Sequence, residues 1–318
     1  MAFMRWPCTP IPRKSGRAAS VRFPNPRPAW AGADVAEPIW VATGYRFFPV
    51  AECETLRDAV ENLAAKAGLL GTVLIAEEGI NFSVAGAAQG LDAFESGLTE
   101  LCGRLPLLRS PAPDGRPFRR LRVRLRPEIV ALGPSEGPLD FARASRVDAD
   151  AWEQLLDDAA VPVIDVRNRY EVAVGRFDGA LDPGTDSFRE FPKWVEANLD
   201  PQTTPEVAIY CTGGIRCTKA AAWMRGRGFN QVHELAGGIL GYLAARSEAL
   251  SRWRGECFVF DDRVGLGVGL EPGELVACRV CGDPLASEVV RGPDTPVSCS
   301  RSHCPARDDH ALDEEQPA

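Results

Sequence analysis

The stretch Val207-Ala-Ile-Tyr-Cys-Thr-Gly-Gly-Ile-Arg-Cys217 decides how this chain is read. Its first four residues are an unbroken apolar run, the pattern of a strand buried on both faces. Two glycines interrupt it, and Lys219 to Arg227 continues as a helix that Gly228 ends. Strand, cysteine, glycine turn and helix, in that order, place Cys211 at the carboxyl end of a parallel strand. In an open α/β sheet that edge is where ligands bind. Backbone N–H groups wrapped around the sulfur, and the positive end of the following helix, favour thiolate over thiol. The thiol should therefore titrate below the free value of about 8.5. Thr212, Gly213, Gly214, Ile215 and Arg216 make up the expected cradle. Both glycines are expected because a loop whose amides all point inward needs backbone angles that a side chain obstructs. Arg216 either faces the same pocket or braces the loop from behind.

A protein tyrosine phosphatase loop is the close rival. Such loops have one more residue before their arginine and usually a histidine before the cysteine. Here Tyr210 precedes Cys211, and Cys217 stands where that arginine would be. The shorter ring suits a persulfide sulfur better than a phosphate. A buried structural cysteine in a glycine turn is the bland alternative.

Upstream of the loop, Asp150 to Asp158 reads as a short helix and Val161-Pro-Val-Ile-Asp-Val166 as another buried strand. Downstream, Val232 to Leu235 is a third strand, and Gly237-Gly238 turns into a helix from Ile239 to Ala245. This alternation indicates a parallel sheet with helices on both faces. Before Gly133-Pro-Ser-Glu-Gly-Pro138, which reads as a linker, the pattern differs. Ile39 to Phe48 is an aromatic strand, and Glu52 to Ala67 is an amphipathic helix. Thr72 to Ala76 and Ile80 to Ala85 are strands either side of a turn. A second helix carries Leu91, Phe94, Leu98 and Leu101 on one side, and Leu121 to Arg126 alternates as a half-exposed strand. The order β-α-β-β-α-β is ferredoxin-like. The expected divisions are an extension over 1–37, a ferredoxin-like domain over 38–132, a linker over 133–145, the α/β domain over 146–255, a cysteine-rich segment over 256–306 and an acidic, disordered end over 307–318.

A chain of 318 residues suits two domains, and 45% apolar with 25% charged residues suits a folded core. No run of about 20 apolar residues offers a membrane span. The formal net charge of −8 argues against a globally basic nucleic-acid binder and leaves room for a local basic patch. Residues 1–37 hold many prolines, six Lys/Arg and no acid before Asp34, and read as a disordered extension in preference to a targeting peptide. Ten cysteines without a secretory signal read as cytosolic thiols or metal ligands, not as a disulfide framework.

Five segments carry a specific resemblance: Asp165-Val-Arg-Asn-Arg-Tyr-Glu171, Gly175-Arg-Phe-Asp-Gly-Ala180, Phe188-Arg-Glu-Phe-Pro192, Cys211-Thr-Gly-Gly-Ile-Arg-Cys217 and Leu235-Ala-Gly-Gly-Ile239. They resemble the rhodanese superfamily, and in particular the rhodanese-domain tRNA uridine hydroxylases. Tyr45-Arg-Phe-Phe48, Ala76-Glu-Glu-Gly-Ile-Asn81 and Glu128-Ile-Val130 resemble that family's N-terminal domain. The resemblance implies an acylphosphatase-like α+β domain followed by a rhodanese-like α/β domain with a central parallel sheet, plus a cysteine-rich tail. It implies oxygen-dependent hydroxylation of the wobble uridine, position 34, to 5-hydroxyuridine. Dioxygen is then co-substrate, no flavin, haem or nicotinamide is expected, and Cys211 is the persulfide-type cysteine. The implied partner is the anticodon region of tRNA in the cytoplasm, with no DNA and no membrane. The chain departs from the family's pattern at Thr218, where a glutamate is usual, and in its N-terminal extension. The alternatives are a thiosulfate or persulfide sulfurtransferase and a sulfur-binding regulatory module without catalysis.

Three further groups have double readings. Cys217 is either a resolving thiol or a small residue packed under the loop. Cys278, Cys281, Cys299 and Cys304 are either a structural zinc site, with His303 as a substitute ligand, or plain thiols in a tail. Arg120, Arg122, Arg124 and Arg126, with Arg119, Arg189 and Lys193, are either an RNA-holding surface or a solvated face.

Overall fold

The computed structural model describes residues 37–286 except 114, 116, 134–136, 279 and 280. Residues 1–36 of the predicted extension, 1–37, and the acidic end lie outside the described residues.

The N-terminal domain runs β1 (Ile39–Phe47), α1 (Cys53–Lys66), β2 (Leu70–Ala76), β3 (Gly79–Ala87), α2 (Ala88–Cys102), β4 (Leu107–Pro111) and β5 (Leu121–Leu125). The sheet order is β4-β1-β3-β2-β5. Every neighbouring pair is antiparallel except β2 with β5. Strand alternation sends Ala42, Val73, Ile75 and Phe82 under the two helices, where they meet Val60, Leu91, Phe94 and Leu98. The opposite face carries no helix of this domain. On it, Tyr45 pairs with Asn81, Asn81 with Leu74, and Leu74 with Arg124, a row straight across the sheet.

Two expectations change here. The ferredoxin-like plait is closed by β4, not by the alternating arginine strand, which is an added edge strand. Leu107–Pro111 was illegible because Pro106 and Pro111 bracket it and Arg109 breaks its apolar pattern. That arginine is held by Asp92 and Glu95 of α2, at 2.7 and 2.9 Å. In α2 the fourth inward residue is Cys102, while Leu101 is exposed. Cys102 lies four residues after Leu98 and so repeats the stripe more closely than Leu101 does.

The second domain runs β6 (Ser145–Val147), α3 (Ala149–Asp157), β7 (Val163–Asp165), α4 (Arg169–Val172), β8 (Gly175–Phe177), α5 (Phe191–Asn198), β9 (Glu206–Tyr210), α6 (Ile215–Gly226), β10 (Gln231–Leu235) and α7 (Gly238–Ala245). The sheet order is β6-β10-β9-β7, parallel throughout. Val207 and Ile209 of β9 face Phe191 and Val195 of α5 and Ala220, Ala221 and Met224 of α6. Ala208 and Tyr210 face the other way, onto Trp152 of α3 and Ile239 and Leu243 of α7. Both faces are therefore covered, which is why these strands read as continuous apolar runs. The short β6 begins at Ser145, the last residue of the expected linker; three residues of Ser-Arg-Val are too few to show a period. The side chain of Asp148 caps α3, accepting from the N–H groups of Asp150 and Ala151.

The chain after α7 folds back. β11 (Trp253–Gly255) pairs with β8, and two small hairpins follow, Cys257–Phe258 with Gly265–Leu266 and Val276–Ala277 with Pro284–Leu285. Arg263 from this segment donates to Ser110 Oγ at 2.7 Å and to the Pro111 carbonyl at 3.0 Å, tying it to β4. No helix among the described residues is long and apolar enough to cross a membrane.

Candidate active site

Cys211 follows β9 directly and its side chain is fully buried. The N–H of Gly214 donates to Cys211 Sγ at 3.1 Å, and Cys217 donates to the same sulfur both its backbone N–H and its thiol. Burial pushes the Cys211 thiol up. The Cys217 thiol, the Arg216 guanidinium and the two N–H groups outweigh burial and bring it down to about 6. Cys217 responds in the opposite sense: burial and the neighbouring sulfur hold its thiol well above its ordinary value, so it keeps its proton and acts as donor.

Gly214 has φ +95° and caps α6 in the left-handed region, which a side chain disfavours. Gly213 does not: its φ is not positive, and a Cβ there would meet open space. The expectation that both glycines serve backbone angles therefore holds for Gly214 only. Gly213 is instead on the open side of the loop.

The loop's carbonyl groups are satisfied from behind by the start of α7. Ile239 N–H donates to the Cys211 carbonyl at 2.9 Å and Leu240 N–H to that of Thr212 at 3.0 Å. Gly238, at φ +62°, allows this approach; a Cβ on it would collide with both carbonyl oxygens. Its signal in the sequence was the Gly237-Gly238 pair, read there only as a turn.

Arg216 braces the loop and does not face the pocket as a free cation. It donates to Glu171 Oε2 at 2.6 Å and Oε1 at 2.7 Å, and to Thr212 Oγ1 at 3.2 Å. Thr212 Oγ1 also donates to Glu171 Oε1 at 3.2 Å. Burial raises the carboxyl of Glu171, but Arg216 and Arg167 more than reverse it and hold the group below its ordinary value. Glu171 closes a capping box with Asn168 at the start of α4, a pattern visible as Asn168-Arg-Tyr-Glu171. Arg167 beside it pairs with Asp165, at 2.9 and 2.6 Å. Glu171 is a site residue that sequence reasoning passed over.

Three further residues join the domains. Tyr45 Oη lies 3.0 Å from Thr218 Oγ1 and 3.0 Å from where a Cβ on Gly214 would stand. Thr218, the position of departure from the family's pattern, donates to Glu234 Oε2 at 2.8 Å. Lys219 Nζ bridges Glu78 at 2.8 Å and Glu128 at 2.7 Å and donates to the Val130 carbonyl at 2.9 Å. The helix that carries the cysteine loop is thus clamped to the N-terminal domain. None of these partners is near it in sequence.

Comparison with known proteins agrees with this architecture. Residues 39–129 match the UPF0176 acylphosphatase like domain and residues 148–245 match the Rhodanese-like domain. A tRNA uridine(34) hydroxylase of Parasynechococcus marenigrum is 45% identical over 261 residues, covering 78% of this chain and 81% of the relative. One from Deinococcus radiodurans is 42% identical over 283 residues, 89% of this chain and 92% of the relative. The chain belongs to the tRNA uridine(34) hydroxylase family. A further member of that family, from Brucella anthropi, is 43% identical over 253 residues.

For this family member the remaining expected site residues fall as follows. Thr212 and Ile215 line the loop and are partly buried. Arg122 and Arg124 are exposed on the helix-free sheet face, with Arg120 and Arg126 flanking β5. Arg189 lies 3.4 Å from Glu128, near the Lys219 clamp, and Lys193 is exposed. Cys278 and Cys281 flank the turn between the last two strands; Gly282 N–H donates to the Cys278 carbonyl at 2.9 Å, and Cys278 N–H to the Asp283 carbonyl at 2.8 Å. Cys299, Cys304 and His303 lie outside the described residues. Among the described residues no three His, Cys, Asp or Glu side chains gather as a metal site.

Proposed function

We propose that this chain hydroxylates uridine 34 of tRNA to 5-hydroxyuridine, with dioxygen as co-substrate and the sulfur of Cys211 as the working group. The observation that carries the reading is the cradle: a buried sulfur receiving the Gly214 N–H at 3.1 Å and two donors from Cys217, in a member of this family. With its thiol brought to about 6, Cys211 at pH 7 holds about ten thiolates for each thiol. The same donors would serve the terminal sulfur of a persulfide. Pairing of Arg216 with Glu171 leaves that guanidinium without a free charge for a phosphate dianion, which argues against phosphatase chemistry.

The substrate reading extends to how RNA is held. From Tyr45, against the loop, the row Tyr45-Asn81-Leu74-Arg124 leads across three strand spacings, about 14 Å, to the exposed arginines of β5. Those arginines supply local positive charge on an acidic chain, and the phosphates flanking uridine 34 in the anticodon loop are their natural partners. A chain that modifies tRNA works where tRNA is, and a cytoplasmic location goes with this reading.

The tail is proposed to hold a structural zinc through Cys278, Cys281, Cys299 and Cys304. The described half fits: Cys278 and Cys281 lie between the paired strands Val276–Ala277 and Pro284–Leu285, with Gly282 at φ +83° just past them. Four thiolates would close the coordination shell, so the metal would order the tail and take no part at Cys211.

Nucleoside mass spectrometry of tRNA from a strain lacking the chain tests the main reading. Loss of 5-hydroxyuridine derivatives, restored by the chain but not by Cys211→Ser, is the expected result. Isotopic dioxygen should label the new hydroxyl. Loss of thiolated nucleosides instead would assign the chain to sulfur transfer, and unchanged tRNA would assign it to a regulatory module.

A further inference from the structure

We propose that Glu234, Thr218 and Tyr45 form a proton relay that crosses the domain boundary and ends over the cysteine loop. The three oxygens are in hydrogen-bond contact in series: Glu234 Oε2 to Thr218 Oγ1 at 2.8 Å, and Thr218 Oγ1 to Tyr45 Oη at 3.0 Å. At the far end Tyr45 Oη lies against Gly214, whose N–H holds the Cys211 sulfur. The relay ends at the residue whose N–H donates to that sulfur.

A threonine hydroxyl has one proton and two lone pairs, so the chain of bonds can point either way. With Glu234 ionised, Tyr45 donates to Thr218 and Thr218 to the carboxylate. With Glu234 protonated, the carboxyl donates to Thr218, Thr218 to Tyr45, and the phenol O–H is left free to point toward the loop. Passing from the second arrangement to the first moves one proton from Glu234 to an acceptor at the loop, and no heavy atom has to move. Glu234 loses the proton that the acceptor gains.

The surroundings suit a carboxyl that exchanges a proton. Glu234 is 2% exposed, and its Oε1 takes no hydrogen bond among the described residues. An ionised carboxylate left half-bonded in the interior is costly. The groups facing it are Thr218 and Arg225 from α6, Arg146 from β6 and Cys211 at the end of β9. Arg225 Nη1 pairs with Oε1 at 3.8 Å, too long for a hydrogen bond, and Arg146 Nη2 reaches Thr218 Oγ1 at 3.5 Å; both arginines favour the carboxylate, and burial outweighs them. Burial first, and then the charge on Cys211, raise Glu234 above its ordinary value, with Thr218 and the two arginines opposing. Burial also raises Tyr45 to about 12; Thr218 and Arg146 lower it and the charge of Cys211 raises it. An ionised Cys211 adds to the burial that favours a protonated Glu234.

The kinetic test rests on the hydroxylase reading; a titration test does not. Thr218→Val, Tyr45→Phe and Glu234→Gln should each lower kcat for tRNA hydroxylation by about 100-fold, the low end of acid–base contributions, with KM for tRNA little changed. Thr218→Ser should restore the rate lost in Thr218→Val, since it returns the hydroxyl. The unmodified chain should lose rate at high pH as Glu234 gives up its proton, and Glu234→Gln should remove that fall. For the titration, thiolate ultraviolet absorbance is followed as the difference from Cys211→Ser. In Glu234→Gln it should appear at lower pH than in the unmodified chain, because two buried anions no longer repel. Circular dichroism melts identify any variant that fails to fold. A folded Thr218→Val with unchanged kcat and pH profile overturns the relay. If the unmodified chain does not hydroxylate tRNA, an unshifted titration in Glu234→Gln overturns it instead.

Discussion

Glu171 accepts two hydrogen bonds from Arg216, at 2.6 and 2.7 Å, and the pair sits under the cysteine loop almost entirely out of water. Of the two roles that the sequence leaves open for Arg216, pocket cation or brace, the pairing makes it the loop's foundation. Removing the carboxylate leaves a buried guanidinium uncompensated. Glu171→Ala should cost about 3–5 kcal/mol of stability. Thermal and urea unfolding check this. Glu171→Gln, which keeps shape and one acceptor, should lose less. A melting temperature within one degree of the unmodified chain in Glu171→Ala would show that the pair is not what holds the loop.

Cys217 acts on Cys211 through its donors, and pH separates its roles. Cys217→Ala removes the thiol donor, so the Cys211 thiol should titrate above about 6. Its activity should then fall more at pH 6 than at pH 8. Cys217→Ser supplies a hydroxyl donor and should be milder. A resolving thiol would instead be lost equally in both variants at every pH. The sign for stability follows from the same shift. Folding lowers the Cys211 thiol from an ordinary 9.0 to about 6, so the unfolded chain binds more protons between those values. Stability should rise with pH across that window and be lost as pH falls through about 6. Cys211→Ser should flatten the rise, which denaturant titrations at several pH values measure.

Arg122 and Arg124 project from one strand about 7 Å apart, on the face that leads back to Tyr45. Reversing both to glutamate should raise the apparent Kd for tRNA about tenfold or more. It should also reduce the slope of log affinity against log salt by about 1.4, the share of two single-strand phosphates. Arg57→Glu, on α1 across the sheet, is the control and should bind as the unmodified chain does. Unchanged affinity and slope in the double variant would remove this face from tRNA docking.

Elemental analysis of the purified chain should find near one zinc per chain, as four closed thiolates imply. Cys278→Ser with Cys281→Ser should abolish it and make the tail protease-sensitive, while Cys211 keeps its reactivity. A metal-free chain with a protease-resistant tail would end the zinc assignment.

Periodicity and turn chemistry act locally, and what they govern was readable. Val207 to Tyr210 reads as a doubly buried strand and Cys211, before the glycine turn, as the residue at its carboxyl edge, so the fold class and the proposed working sulfur are legible in adjacent residues. The same local rules fail at Leu107–Pro111 and Ser145–Val147, which are strands because a neighbour offers its edge, not because their own pattern demands it. The rest of the site was settled by tertiary structure. Glu171 lies 45 residues from Arg216, Tyr45 lies 173 from Thr218, and Glu78 lies 141 from Lys219. A charged or hydroxyl side chain has no fixed meaning in sequence, because its partner is chosen by burial. Once folding removes water, each such group must find a complement or carry the full cost of desolvation. Which complement it finds is a property of packed elements, and here that choice made Arg216 a brace, Lys219 a clamp and Tyr45 part of a site built on the other domain.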